Sequence, residues 1–279
     1  MTAFRSLAVL LVLALVLAPG LLRAGEPPPI VLLGALGAET EPVVAALTDR
    51  EAVTVLGIPC TSGKLGGRRV VVAATGVGKV NAAMTTALLV ERFSPAAVIF
   101  TGVAGALDAD LQPGDVVVGE TLVQHDLVRH TEEGVVLRGV RSPRTGASNP
   151  VTLEPDPRLL ALARETAAAV EHRLARVEGG ARPPRLVFGT IATGDSFVGS
   201  RAKKTELRDR LSAHAVEMEG AAVAQVCREL GVPFLVVRGL SDRASADASA
   251  EARRNLGVAA RNAAEVALAV ARRLGLEGP

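Results

Sequence analysis

The chain has 279 residues, 49% of them apolar, with 31 Lys and Arg against 29 Asp and Glu. That length is enough for one large domain with a sizeable core, and the near-balance of charge argues against a polybasic partner of nucleic acid or anionic lipid. Four scattered histidines with no HExxH or CxxC spacing give no metal site.

The first element is a leader. Arg5 precedes an apolar run over 7–18, broken by Pro19-Gly20, and small residues follow at Ala24-Gly25. A basic start, a short apolar core and small residues downstream read as a secretory signal over 1–24. The run falls short of the ~20 residues of a membrane span. The sequence therefore predicts an exported protein, periplasmic or secreted, with no stable membrane insertion after cleavage and one domain over 25–279. Cleavage would remove Arg5 and Arg23 and no acid, leaving a formally neutral chain.

Strands and helices then alternate. Ile30–Gly34 reads as a strand and 39–47 as a helix; 53–58, 61–65 and 70–74 read as short strands. Lys79–Phe93 reads as a helix, and 98–101 and 116–120 as strands. A helix over 159–177 is followed by a strand over Leu186–Thr193. A helix over 219–230 carries Val223, Val226, Cys227 and Leu230 at i, i+3, i+4, i+7 spacing. A strand over 234–240 and a long helix over 251–274 complete the chain. Segments 138–157 and 178–184, rich in Gly, Pro and charge, read as loops or insertions. Nearly continuous Val/Leu/Ile strands alternating with helices predict an α/β fold of three layers, a mixed central sheet flanked by helices. Ligands of such sheets gather at strand C-termini, where the glycine-rich turns fall: Gly34, Gly76-Val77-Gly78, 102–105, Gly194 and 239–242.

Two tempting motifs fail. Thr75-Gly76-Val77-Gly78-Lys79-Val80 lacks the first glycine of a P-loop, where Ala73 stands, and the hydroxyl after Lys. It remains a turn whose N–H groups could meet anions or hydroxyls. Gly194-Asp195-Ser196-Phe197 looks like the start of a Gly-Asp-Ser esterase motif, but no histidine follows His214. His125-Asp126 reads as a hydrogen-bonding loop pair. Cys60 and Cys227 could pair in an oxidising compartment, although the place of Cys227 on an apolar helical face predicts a free buried thiol. There is no Trp or Tyr, and only six Phe.

What remains is a set of acids and one arginine at strand ends: Glu39, Glu217, Glu219, Arg238 and Asp242. Asp242 ends an apolar run and Glu219 abuts Gly220-Ala221-Ala222. With them, "LLGALGAETEPV" (32–43), "ATGVGKVNAA" (74–83), "FTGVAGALDADLQPGDVVV" (100–118), "TGDSFV" (193–198), "VEMEGAAVAQVC" (216–227) and "VPFLVVRGLSD" (232–242) stand in one order. In these stretches the chain resembles the 5'-methylthioadenosine/S-adenosylhomocysteine nucleosidases of the nucleoside phosphorylase superfamily.

The resemblance implies hydrolysis of an adenine nucleoside, a purine nucleoside as small-molecule partner, no cofactor, and a homodimer. It implies that Glu39 activates water in a network with Arg238. It places Phe197 on the purine face, the backbone near Val198 at the purine edge, Met218 on the ribose and Glu219 on the ribose hydroxyls. Asp242, after Ser241, faces purine N7 and N6 as general acid. The chemistry stands by itself: breaking the N-glycosidic bond puts positive charge on the sugar and negative charge on the base, so an acid at the base and a carboxylate at water suit it. The role of Glu217 stays open.

Four features depart from the family pattern. Val103 stands where a hydroxyl is usual, which disfavours phosphate as nucleophile. Leu36 replaces a methionine. Segments 127–136 and 247–257 lack pocket aromatics, which implies a remodelled 5' site. The leader is unusual in a cytosolic family. Alternatives are a futalosine-type nucleoside hydrolase and a non-catalytic exported nucleoside-binding or storage protein on the same fold.

Overall fold

In the computed structural model, residues 27–276 are described; the leader assigned to 1–24 lies outside them. In chain order the elements are β1 (Ile30–Gly34), α1 (Gly37–Ala45), β2 (Thr48–Val55), β3 (Ile58–Leu65), β4 (Arg68–Ala74), α2 (Lys79–Phe93), β5 (Ala97–Ala106), β6 (Val116–Gln124), β7 (Val128–Thr131), β8 (Gly134–Leu137), β9 (Thr152–Leu153), α3 (Pro157–Glu171), β10 (Leu186–Thr193), α4 (Arg201–Leu211), β11 (Ala215–Glu217), α5 (Gly220–Leu230), β12 (Phe234–Asp242) and α6 (Ala248–Leu276).

The main sheet runs β11-β10-β6-β12-β5-β1-β4-β3-β2 and mixes parallel and antiparallel neighbours. Alternation within β1 shows why its run is apolar throughout. Val31 and Leu33 enter a core with α2 and α5, while Ile30 and Leu32 enter another with α1, α3 and α6. A strand buried on both faces has no polar side to show. The three-layer mixed architecture is as the sequence predicts. The sheet also curls: β11 pairs parallel with β10 and antiparallel with the end of β5, Ala215 opposite Ala106 and Val216 opposite Gly105. This closes β5, β12, β6, β10 and β11 into a ring and carries the 217–219 segment over the end of β5.

Several boundaries differ from expectation. The strand predicted over 53–58 crosses a turn, because Leu56 and Gly57 both have positive φ (48° and 87°) and join β2 to β3. Gly66 and Gly67 repeat the device between β3 and β4, as two-residue hairpins require. Leu56 hid the first turn by being apolar, yet it is exposed. Strands β5 and β6 outrun the predicted 98–101 and 116–120, and α3 stops at Glu171 short of 177. Beyond it Asn262 of α6 claims the backbone of Ala175, accepting from its N–H and donating to its carbonyl at 2.8 and 2.9 Å. Helix α4, strand β11 and the β7–β8 hairpin were not predicted. In α4 only Leu207 is buried, so its sequence shows no apolar stripe. Segment 138–157 folds onto the end of α5, where Ser142 Oγ and Asn149 Nδ2 donate to the Glu229 carboxylate, each at 2.6 Å.

The long α6 crosses β12 at Gly239, where a Cβ would overlap the carbonyl oxygen of Ala259. Helix and strand backbones touch there. Gly239→Ala should therefore destabilise the protein by at least ~3 kcal/mol, the upper range for overpacking, as read by denaturant unfolding. A loss below ~1 kcal/mol would show that the helix can slide.

Candidate active site

The site is built around Arg238. Strand β12 is buried along its length, and alternation puts Arg238 on the sheet face shared with Phe100, at the register position of Gly102 on β5. A Cβ on Gly102 would collide with Arg238 Nη1 and Glu39 Oε1; glycine makes room for both. Two residues earlier on the same face of β5, the Phe100 ring lies under the guanidinium, 4.2 Å from ring centroid to Cζ. Arg238 is 0% exposed. Its Nη2 donates to Glu217 Oε2 and reaches Glu219 Oε2 at 3.5 Å, while Nε and Nη1 have no hydrogen-bond partner among the described residues.

Glu39 sits in the first turn of α1. Its Oε2 accepts from the N–H groups of Ala35 (2.6 Å) and Leu36 (2.9 Å), and its Oε1 from the N–H of Val103 (2.8 Å). The carboxylate fills the cluster of donors that a helix start offers an anion. It is buried beside Arg238 Nη1.

The role of Glu217, open in the sequence, is structural. Its Oε2 accepts from the N–H of Glu219 (3.0 Å) and of Gly220 (2.7 Å), and its Oε1 accepts the Thr193 hydroxyl. Thr193 Oγ1 in turn accepts from the N–H of Ala221 at 2.9 Å. One carboxylate thus caps α5, ties it to β10 and neutralises Arg238. Sequence reasoning missed Thr193 in this network; a hydroxyl at the end of a predicted strand was the available signal. Glu219, expected as the first residue of the helix, immediately precedes α5 instead. Its Oε1 accepts from the N–H of Gly78 at 2.8 Å, so the Gly76-Val77-Gly78 turn does meet an anion, one supplied by the chain itself. Burial, then repulsion from Glu217, pushes the Glu219 carboxyl from 4.5 up to about 7 against the pull of Arg238.

Asp242, Phe197, Val198 and Met218 line one cleft with Gly105, Ser196, Val216 and Glu217. Phe197 is 55% exposed, its ring presented at the cleft, while Val198 is buried behind it. Burial raises the Asp242 carboxyl above the usual range, opposed by hydrogen bonds from the Ala244 N–H and the Ser241 hydroxyl. Ser241 Oγ lies 2.8 Å from Asp242 Oδ2 and 3.3 Å from the Ala104 carbonyl. One hydroxyl proton can serve only one acceptor. The shorter contact, to Asp242, takes the Ser241 proton and is the hydrogen bond that opposes the rise of the Asp242 carboxyl. Val103 contributes its N–H to Glu39; its side chain is half-buried.

The rejected Gly-Asp-Ser segment is a positioning loop. Asp195 Oδ1 accepts from the Lys79 N–H, its own N–H donates to Asp126 Oδ2, and Lys79 Nζ pairs with Asp126 at 2.7 Å. His125 packs against Gly194, where a Cβ would overlap the ring, and burial lowers its pKa; neither ring nitrogen has a partner among the described residues. Among the described residues no group of His, Cys, Asp and Glu could hold a metal ion, and Cys60 and Cys227 are separate buried thiols.

Comparison with known proteins gives a consistent neighbourhood. Residues 29–273 match the model of the phosphorylase superfamily. A 5'-methylthioadenosine/S-adenosylhomocysteine nucleosidase of Mycobacterium tuberculosis is 39% identical over 232 residues, 80% of this chain and 88% of that protein. The crystal structure of the nucleosidase of the same name from Neisseria meningitidis, in complex with methylthio-immucillin-A, superposes with a TM-score of 0.75 at 32% identity, covering 88% of this chain and all of that one. The futalosine hydrolase of Helicobacter pylori superposes with a TM-score of 0.72 at 32% identity, over 87% of this chain and 97% of that one. With its acids, arginine and glycine turns in this arrangement and these relatives around it, the chain belongs to the 5'-methylthioadenosine/S-adenosylhomocysteine nucleosidase family of the phosphorylase superfamily.

Proposed function

We propose that the protein is an exported hydrolase that releases adenine from 5'-methylthioadenosine or S-adenosylhomocysteine-type nucleosides. The observation that carries water rather than phosphate as the nucleophile is the seat of Glu39. Its carboxylate occupies the N–H groups of Ala35, Leu36 and Val103. Those donors are not free for a phosphate, and the negative charge repels one. Beside it, Arg238 Nη1 is a buried donor without a protein acceptor, suited to hold the water that Glu39 deprotonates.

The base binds at the other end. Phe197 stacks on the purine and the backbone near Val198 meets its edge. Burial favours the protonated form of the Asp242 carboxyl, which gives its proton to N7 as the bond breaks. The Ser241 hydroxyl orients the Asp242 carboxyl in the resting site. Met218 packs on the sugar, and Glu219 accepts from its hydroxyls. A sugar hydroxyl replaces part of the hydration that burial denies Glu219, so binding favours its ionised form. Val77, Val80 and Met84, exposed together around the start of α2, support the homodimer. Likeness to a futalosine hydrolase supports a second reading, a hydrolase of a futalosine-type nucleoside. A binding or storage protein would leave all of these nucleosides intact.

Product analysis tests the assignment. The purified protein, incubated with 5'-methylthioadenosine, S-adenosylhomocysteine and futalosine in turn, should release adenine from the first two and yield free sugar even in abundant phosphate. Sugar 1-phosphate, or release only from futalosine, would overturn it. Asp242→Asn and Glu39→Gln should each lower kcat by at least ~10²-fold, the lower range for general acid–base catalysis, with circular dichroism unchanged.

Stability supplies a pH test of Glu219. Its folded pKa, about 7, lies above the 4.5 of an ordinary glutamate. Protonation therefore favours the folded state, and the stabilisation present below pH 4.5 is lost as pH rises toward 7. Glu219→Gln cannot lose it. The stability of this variant relative to the natural protein should rise between pH 4.5 and 7.5, by on the order of 1–3 kcal/mol. Parallel pH curves would show that Glu219 is ionised throughout. Export has its own check: N-terminal sequencing of the protein from outside the cytoplasm should begin near Gly25, and material retaining residues 1–5 would contradict cleavage.

A further inference from the structure

A second cleft, of about 430 Å³, shares no lining residue with the one that holds Phe197. One wall is the 178–184 segment that the sequence marks as an insertion. That segment is fastened down. Arg182 forks onto the buried Asp115, with both N–O distances 2.7 Å, and reaches the Asp110 carbonyl at 2.7 Å. Gln112 clamps the same stretch from the other side, donating to the Arg182 carbonyl and accepting from the Ala181 N–H. A solvated excursion needs no buried bidentate anchor. The anchoring presents Gly179 and Gly180 to the cleft; Gly179 has positive φ and open space where a Cβ would stand.

The lining also includes Arg254 of α6, which is exposed and makes no hydrogen bond or ion pair among the described residues. Arg243, in the same lining, uses only Nη1 of its guanidinium, on Glu251 at 2.9 Å. Asn255 forms the floor; its Nδ2 donates to the Ser241 carbonyl at 2.9 Å, leaving Oδ1 for a ligand. Glu178 is the one acid in the lining, against two guanidinium groups. Pro113 and Val177 add an apolar wall. A volume of about 430 Å³ suits a small molecule.

We propose that this cleft is a second binding site, for a small metabolite that carries a phosphate or carboxylate group. The oxyanion sits between Arg254 and Arg243, and a compact apolar part rests on Pro113 and Val177. The site reaches the cleft of Asp242 through the chain itself. Arg243 follows Asp242, its N–H donates to Glu251 Oε2 and its carbonyl accepts from Lys204 Nζ, both at 2.9 Å. An oxyanion that draws the Arg243 guanidinium from Glu251 alters what holds the residue next to Asp242. Such a ligand would therefore modulate turnover. That consequence rests on Asp242 being the general acid; the binding does not.

Calorimetric titration of the purified protein at constant ionic strength tests the binding alone. One arm uses glycerol 3-phosphate and the other succinate, each with and without saturating adenine. Saturable 1:1 binding is expected in at least one arm, and the arm that binds identifies phosphate or carboxylate as the preferred group. Adenine should not displace the probe. Arg254→Gln and Arg243→Gln should each weaken binding about tenfold, and Arg253→Gln, on the same helix but outside the lining, should not. Absence of saturable binding in both arms, displacement by adenine, or an unchanged Kd in Arg254→Gln would overturn the proposal. None of these readouts requires turnover, so failure of the catalytic assignment would leave them intact.

Discussion

A single buried cation organises this protein. Arg238 lies wholly out of water, and a guanidinium there is tolerable only if carboxylates meet it. Glu217 pairs with it directly, and Glu219 and Glu39 lie around it. Each acid comes from a different part of the chain: Glu39 from the start of α1, Glu217 from the end of β11, Glu219 from the entry to α5. The requirement to neutralise one arginine thus draws four elements to one point. It also explains Gly102, whose missing side chain is the space that Arg238 and Glu39 share. Three acids share one guanidinium and repel one another, Glu217 and Glu39 both raising the Glu219 carboxyl, so the acids are coupled and the effects of changing two of them will not add.

The second organising feature is an irregularity in strand pairing. Along β12, Arg238 faces Gly102 and Leu240 faces Ala104, but Asp242 faces Gly105. Two residues of β12 pass for one of β5. A bulge of this kind bends a strand and re-aims its side chains. Here it sets Asp242 against Gly105, where a Cβ would stand 2.8 Å from Oδ1. Glycines of β5 therefore serve both ends of the site, one under the arginine and one under the acid. The curl that brings β11 across the end of β5 then lays Met218 and Glu219 between them.

The same segment shows how the protein uses its own charges. The glycine turn before α2 offers an N–H to Glu219, and the next N–H along goes to Asp195. Both acids lie far from the turn in sequence. One stands beside Arg238 and the other on the loop of Phe197, so the start of α2 holds the two halves of the cleft in register.

Much of this was legible in the residues. Strand β1, helix α2, strand β10 and the core of β12 carry the apolar runs or stripes that their burial requires, because an element covered on one or both faces must be apolar there. The acids stood out as charges at the ends of apolar runs, and the motif order identified the family. Helix α4 was not legible: it buries Leu207 alone, and a helix with so little buried face has no stripe to read. Strand β11 was not legible because three residues have no measurable alternation. The turn at Leu56 was hidden by an apolar side chain that points into solvent. Only the tertiary structure decided that Glu217 is the cap and counter-ion and that the glycine turn receives Glu219. It alone decided that a bulge aims Asp242 and that the 178–184 insertion walls a cleft. The physical reason is common to all four. Periodicity records what each residue buries along its own element, whereas hydrogen bonds and ion pairs between segments distant in sequence leave no spacing in the chain.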